Sequence, residues 1–178
     1  MRLFVGLPLP DDTRARIAGI AGSLPLGRRV AADNLHLTLV FLGDVAPAGL
    51  GGLDEALREV DAGPVRLEFG AALALGGRTA RALALEARGA EALQARVLAA
   101  VRRAGFAPER RRFRGHVTFA RLPRGLTPGD ERRLAGWLAD IATPLVLPAS
   151  VDRFTLYRSH LSPAGAAYEG LADYPLAG

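Results

Sequence analysis

The chain has 178 residues, a formal net charge of +5 and no cysteine, which excludes disulfides, thiolate metal sites and cysteine nucleophiles. That length buries a substantial interior without covalent staples and fits one domain, or two small lobes sharing one core. No segment approaches the roughly 20 apolar residues that span a bilayer, and the opening MRLFVGLPLPDD is a short apolar run with two prolines, a first strand in character and not a signal peptide.

Residues 2 to 7 read as a strand ended by Pro8 and Pro10. Asp11 or Asp12 then caps a helix to about Gly22, with Ile17 and Ile20 on its buried side. A short strand is expected near Arg28 to Val30, followed by one from Asn34 to Leu42, where Leu35, Leu37, Leu39 and Phe41 face one way and His36 and Thr38 the other. A helix follows from about Ala48 to Val60, with Leu50, Leu53, Leu57 and Val60 at helical spacing. Strands near Val65 to Leu75 and Arg81 to Ala87 form a hairpin around Gly76-Gly77-Arg78. A helix from Ala90 to Ala104 carries Leu93, Val97, Leu98 and Val101 inward and ends at Gly105. Then come a strand from Arg112 to Arg121, a helix from about Pro128 to Asp140 with Leu134, Trp137 and Leu138 inward, and strands over Leu145 to Leu147, Val151 to Leu161 and Ala166 to Ala172. In each half a helix leads into one strand and another helix follows, a plan that suggests a pseudo-repeat.

The chemistry concentrates in two of the three histidines. Leu35-His36-Leu37-Thr38-Leu39 is echoed by Gly115-His116-Val117-Thr118-Phe119, and period-two alternation puts His36 beside Thr38 and His116 beside Thr118. Imidazole gives or takes a proton near neutral pH, so two copies supply one general base and one general acid. The set suits attack on a phosphate diester, with the threonine hydroxyls donating to the non-bridging oxygens. Strict alternation turns Arg121 to the opposite face unless the strand ends or bulges after Phe119. Arg110, Arg111, Arg112 and Arg114 lead into His116, and alternation aligns Arg112 and Arg114 with its face, where they would track a phosphate backbone; a plain solvated run is the alternative reading, given the bias toward arginine. The sequence pI near 10.8 is weak support for a polyanionic partner, because all 23 basic residues are arginine. Gly76-Gly77 lacks the Lys and Ser/Thr of a phosphate loop. His160 has no partner at metal-ligand spacing and reads as a surface or rim residue, so no metal site is expected.

The stretches MRLFVGLPLP, NLHLTLVFLG, FRGHVTFARL and VDRFTLYRSHLSPAGAAYE together resemble the bacterial and archaeal RNA 2',3'-cyclic phosphodiesterases, long called 2'-5' RNA ligases, of the two-histidine phosphoesterase superfamily. The resemblance implies an α+β, bilobal fold, pseudo-twofold, with two antiparallel-rich sheets forming a central cleft, one His-x-Thr on each wall and helices outside. It implies opening of a terminal 2',3'-cyclic phosphate of RNA to a 2'-phosphomonoester without metal or cofactor, and weak reverse ligation of 2'-5' ends. His36 and His116 become the catalytic pair, Thr38, Thr118 and Arg121 hold the phosphate, and His116 activates water while His36 protonates the leaving O3'. Relatives often carry an aromatic where this chain has Arg29, a Trp where it has Ala84 and a Pro where it has Gly115; Arg29 is expected to substitute by stacking its guanidinium on a base.

Two alternatives stand beside this reading. One uses the same machinery on a small cyclic phosphate, such as an ADP-ribose cyclic phosphate, or on a 2'-5' oligoadenylate. The other is an RNA-end binding module without turnover, against which the intact histidines argue. A cytoplasmic monomer without a membrane partner is the expectation, because the lack of cysteine suits a reducing cytosol and no heptad or large unassigned apolar face is present.

Overall fold

The computed structural model describes residues 1–77, 79–109, 112–141, 146–162 and 165–177. Nine strands and four helices follow in the order β1 (Arg2–Pro8), α1 (Asp11–Ile20), β2 (Arg28–Arg29), β3 (His36–Asp44), α2 (Leu50–Arg58), β4 (Val65–Leu75), β5 (Ala82–Arg88), α3 (Glu91–Arg103), β6 (His116–Arg121), α4 (Pro128–Asp140), β7 (Ala149–Val151), β8 (Arg153–Ser162) and β9 (Gly165–Pro175) among the described residues. Within the α+β class, the two expected sheets are two halves of one antiparallel path, β7-β4-β5-β6 and β3-β1-β8-β9, with β2 added beside β6. The halves meet between β3 and β6 at one register pair, Leu37 opposite Val117.

The repeat begins one strand earlier than the helix pattern indicates. Its units run β1-α1-β3-α2-β4 and β5-α3-β6-α4-β8, so the two histidine strands correspond. The third strand of each unit pairs with the first strand of the other: β4 lies on β5 and β8 lies on β1.

The helices form where the apolar stripe is unbroken. In α3, Leu93, Val97, Ala100 and Val101 recur at three- and four-residue spacing and are all buried, the stripe a helix presents to a core. Helix α4 starts on a reciprocal cap: the Thr127 hydroxyl accepts from the Asp130 N–H at 3.1 Å, and the Asp130 carboxylate accepts from the Thr127 N–H at 3.0 Å, worth about 1 kcal/mol. Its Leu134 is buried, and Trp137 reaches Phe119 behind β6 with ring centroids 6.2 Å apart. Helix α1 departs from the expected side-chain cap. Pro10 holds the N-cap position and Asp11 and Asp12 sit in the first turn, where they offset the positive helix end.

Alternation along the two histidine strands breaks at the same place. Val5 pairs with Val40 but Gly6 with Thr38, so Leu39 is an extra residue in β3. Leu83 pairs with Ala120 but Ala84 with Thr118, so Phe119 is an extra residue in β6. Each is a β-bulge that sends two consecutive residues to the core: Leu39 and Val40, then Phe119 and Ala120, all buried. Parity then flips, which corrects the expected inward orientation of Phe41; it is 46% exposed. Two further expectations change. Residues 112–115 are not strand, so β6 starts at His116, and Val146 and Leu147 are not strand either, the short β7 starting at Ala149. Leu145, Arg78 of the hairpin turn and Arg110 and Arg111 of the basic run lie outside the described residues.

Gly89 joins β5 to α3 with φ +105, and a Cβ added there would overlap the Arg66 carbonyl oxygen. Gly89→Ala is expected to lower unfolding free energy by about 2 kcal/mol, read as a drop in the urea midpoint at constant m; an unchanged midpoint would contradict the turn geometry.

Candidate active site

Strands β3 and β6 both start on their histidine, and each imidazole is fixed the same way. Nδ1 of His36 donates to the Asn34 carbonyl, and Nδ1 of His116 to the Arg114 carbonyl, both at 2.7 Å. A carbonyl only accepts, so Nδ1 carries the hydrogen and Nε2 is left to take or give a proton. Asn34 is itself held by the β8–β9 hairpin: its Nδ2 donates to the Ala166 carbonyl at 2.8 Å and its Oδ1 accepts from the Tyr168 N–H at 3.3 Å.

The surroundings of His36 are aromatic, with ring centroids 4.7 Å from Phe4, 4.9 Å from Tyr168 and 5.9 Å from Tyr157. Gly6 of the neighbouring strand makes room for the ring, since a Cβ there would lie 3.4 Å from His36 Cδ2. This burial lowers the His36 pKa from the ordinary 6.5 to about 4; the bond to Asn34 opposes the shift, while the positive charge of Arg121 and electrostatic coupling to His116 add to it. His36 is therefore neutral at pH 7, and its Nε2 accepts from the Thr38 hydroxyl at 3.0 Å.

His36, Thr38, His116, Thr118 and Arg121 line one cleft of about 730 Å³. Continuing the Leu37–Val117 register by one residue each way sets Thr38 across from His116 and His36 across from Thr118, a square with like groups on its diagonals. The bulge at Phe119 supplies the condition under which Arg121 joins this face. Phe41 is its counterpart on β3, with the Arg2 guanidinium 5.0 Å above its ring. The cleft also takes in Arg28 and Arg81, and among the described residues no carboxylate lines it. An oxyanion with several acceptor atoms is the ligand such a field favours.

Other expected residues fall elsewhere. Arg29 does not line the cleft; its Nη2 donates to the Gly22 carbonyl at 2.7 Å, and Arg28, one residue earlier, turns inward instead. Its guanidinium packs on the Gly165 backbone, where a Cβ would stand 3.1 Å from Nη2. Arg114 contributes its carbonyl to His116, while it and Arg112 line an adjoining groove, because the segment before His116 does not alternate as a strand. Ala84 is fully buried across from Thr118 and offers no platform to a base. Gly115 lets the chain lie against β5, its carbonyl accepting from the Ala87 N–H at 2.9 Å. His160 is exposed and is not among the cleft's lining residues, and its Nε2 lies 2.7 Å from Glu169.

One family model, LigT like Phosphoesterase, matches residues 7–82 and again 83–168, so each match contains one His-x-Thr strand. The chain belongs to this family. It is similar to a Geobacillus stearothermophilus RNA 2',3'-cyclic phosphodiesterase, 32% identical over 98% of this chain and 57% of that protein; the chain thus spans little more than half of that relative. Among solved structures it resembles apo Escherichia coli LigT, with TM-score 0.80 and 27% identity over 99% of this chain and 98% of that one. The same protein complexed with 3'-AMP gives TM-score 0.78 and 27% identity over 98% and 97%. The second family match begins inside β5, close to where the second structural unit begins.

Sequence reasoning missed Asn34, Arg28, Arg81 and the Phe41–Arg2 pair. Only Asn34 carried a usable signal, a side chain able to bridge backbone groups two residues before the histidine. The cleft-facing turn of Phe41 follows from a bulge, which no single-sequence periodicity reveals.

In the free protein the His36 imidazole is expected to titrate near pH 4 by NMR. Since the unfolded chain binds more protons at this position between pH 6.5 and about 4, stability contributed here falls as pH is lowered through that window. A His36 titration midpoint at 6 or above would contradict the aromatic enclosure.

Proposed function

We propose that the protein hydrolyses the 2',3'-cyclic phosphate at an RNA end to a 2'-phosphomonoester. The observation that carries this reading is the pair of imidazoles with Nδ1 tied to backbone carbonyls, flanking one arginine-lined cleft. It is the arrangement that general acid–base attack on a phosphodiester needs. The family membership and a relative named RNA 2',3'-cyclic phosphodiesterase support the same substrate, and the 3'-AMP complex of a structural relative supports a nucleotide in the cleft.

In the proposed reaction His116 Nε2 takes one proton from water as the oxygen attacks phosphorus. The P–O3' bond breaks, and His36 delivers its Nε2 proton to O3'; the second water hydrogen stays on the new phosphomonoester. Thr38, Thr118 and Arg121 hold the non-bridging oxygens as charge builds there. Because His36 is neutral in the free protein, it takes up its proton as the anionic phosphate enters and offsets the cost of burial. Once charged, a desolvated imidazolium is a strong acid, suited to an alkoxide leaving group. With the 5'-hydroxyl of a second RNA end in place of water, the same attack on the cyclic phosphate forms a 2'-5' phosphodiester, the hydroxyl proton going to His116 and His36 protonating the departing O3', which gives weak 2'-5' ligation.

With an oligonucleotide ending in 2',3'-cyclic phosphate and excess EDTA, the product is expected to be the 2'-phosphate. His36→Ala and His116→Ala should each lower kcat by at least about 100-fold; a 3'-phosphate product, dependence on added metal, or near-normal kcat in either variant would overturn the mechanism. The roles are separated by a substrate with sulfur in place of O3', since a thiolate leaves without a proton. His36→Ala is expected to recover most of its activity on that substrate and His116→Ala none, and rescue of His116→Ala instead would exchange the two assignments.

A further inference from the structure

The cleft shares its wall at Thr38, Phe41, Leu75 and His116 with a second concavity of about 1020 Å³. This groove runs between the bulged end of β3, one face of α3 and the segment entering β6. Among the described residues its cations are Arg102, Arg112 and Arg114, against one carboxylate, Glu109. Among the described residues none of these three guanidiniums has an ion pair or hydrogen bond, whereas the adjacent Arg103 on α3 reaches Glu59 at 3.8 Å. At the junction stands Phe41, 46% exposed, and Phe113 lines the groove further along. The opposite end of the cleft leads to a concavity of only about 220 Å³, where Arg29 is already bonded to the Gly22 carbonyl.

We propose that the groove carries the single-stranded RNA on the 5' side of the cyclic phosphate, leaving the cleft past Phe41. The inference rests on the reading of the cleft as the site of a 3'-terminal cyclic phosphate. With that phosphate held between the histidines, a polymeric substrate continues only from the 5' oxygen of its last nucleotide, and needs an exit with room, positive charge and an apolar surface. Single strands are held by such a combination, guanidiniums along the backbone and aromatic faces under the bases. The groove offers all three where it meets the cleft. Arg112 and Arg114, which follow no strand alternation, are brought to this path by the irregular segment ahead of His116.

The test compares a mononucleotide 2',3'-cyclic phosphate with a six-residue oligonucleotide ending in the same group, on the wild type and on R102A/R112A. The wild type is expected to show a lower KM for the oligonucleotide. The double variant should raise that KM by about tenfold, well beyond any change in the mononucleotide KM, and lower the salt slope of oligonucleotide binding by about 0.7 for each arginine removed. Equal KM values for the two substrates in the wild type, or an oligonucleotide KM and salt slope unmoved in the variant, would overturn the groove assignment. Fluorescence anisotropy with a dye-labelled oligonucleotide bearing a 2'-phosphate reads the same salt slope without turnover. A wild type that hydrolyses neither substrate therefore refutes the activity, while the anisotropy slopes still decide the groove.

Discussion

The site depends on the contact between β3 and β6, where Leu37 and Val117 are the only residues in register among those described. Both are fully buried, so the junction is fixed by apolar packing and not by a long hydrogen-bonded ladder. A slip of one residue would turn an entire strand face over and carry one histidine away from the other. Two bulges complete the arrangement by releasing Phe41 and Arg121 from the core side on which uninterrupted alternation would leave them.

The exchange of third strands makes this junction firm. Since β4 pairs with β5 and β8 with β1, neither repeat unit can separate without giving up a sheet edge to solvent, which is costly for unpaired backbone groups. The walls of the cleft are thus braced from outside, and the β8–β9 hairpin adds a direct tie to the chemistry through Asn34, whose carbonyl orients His36. Preorganised imidazoles need no rearrangement when charge develops on the phosphate.

Electrostatically the two histidines are unequal although their backbone anchoring matches. Phe4, Tyr157 and Tyr168 enclose His36, and no comparable ring contact surrounds His116 among the described residues. Burial holds His36 neutral until an anion arrives, while the arginines around it favour the anion's entry. In the proposed reaction one ligand, a phosphate, satisfies the cations and supplies the field that lets His36 carry its proton. The proposed mechanism needs one imidazole neutral and the other charged, so within it the asymmetry decides when the proton is taken up more than whether it is needed.

From sequence alone one could read the element types, the repeated plan and the pairing of each histidine with its threonine, because these rest on local periodicity and turn chemistry that act over a few residues. The family likeness added the cleft and the reaction. Tertiary structure decided the rest. Arg121 and Phe41 face the site because an extra residue in each strand is accommodated against a neighbouring strand, and Arg28 displaces Arg29 because β2 pairs with β6 in one register only. The neutral state of His36 comes from rings on β1, β8 and β9 that are distant in the chain and meet only in the folded sheet. Local rules placed the two imidazoles on strands; long-range pairing determined what each one faces.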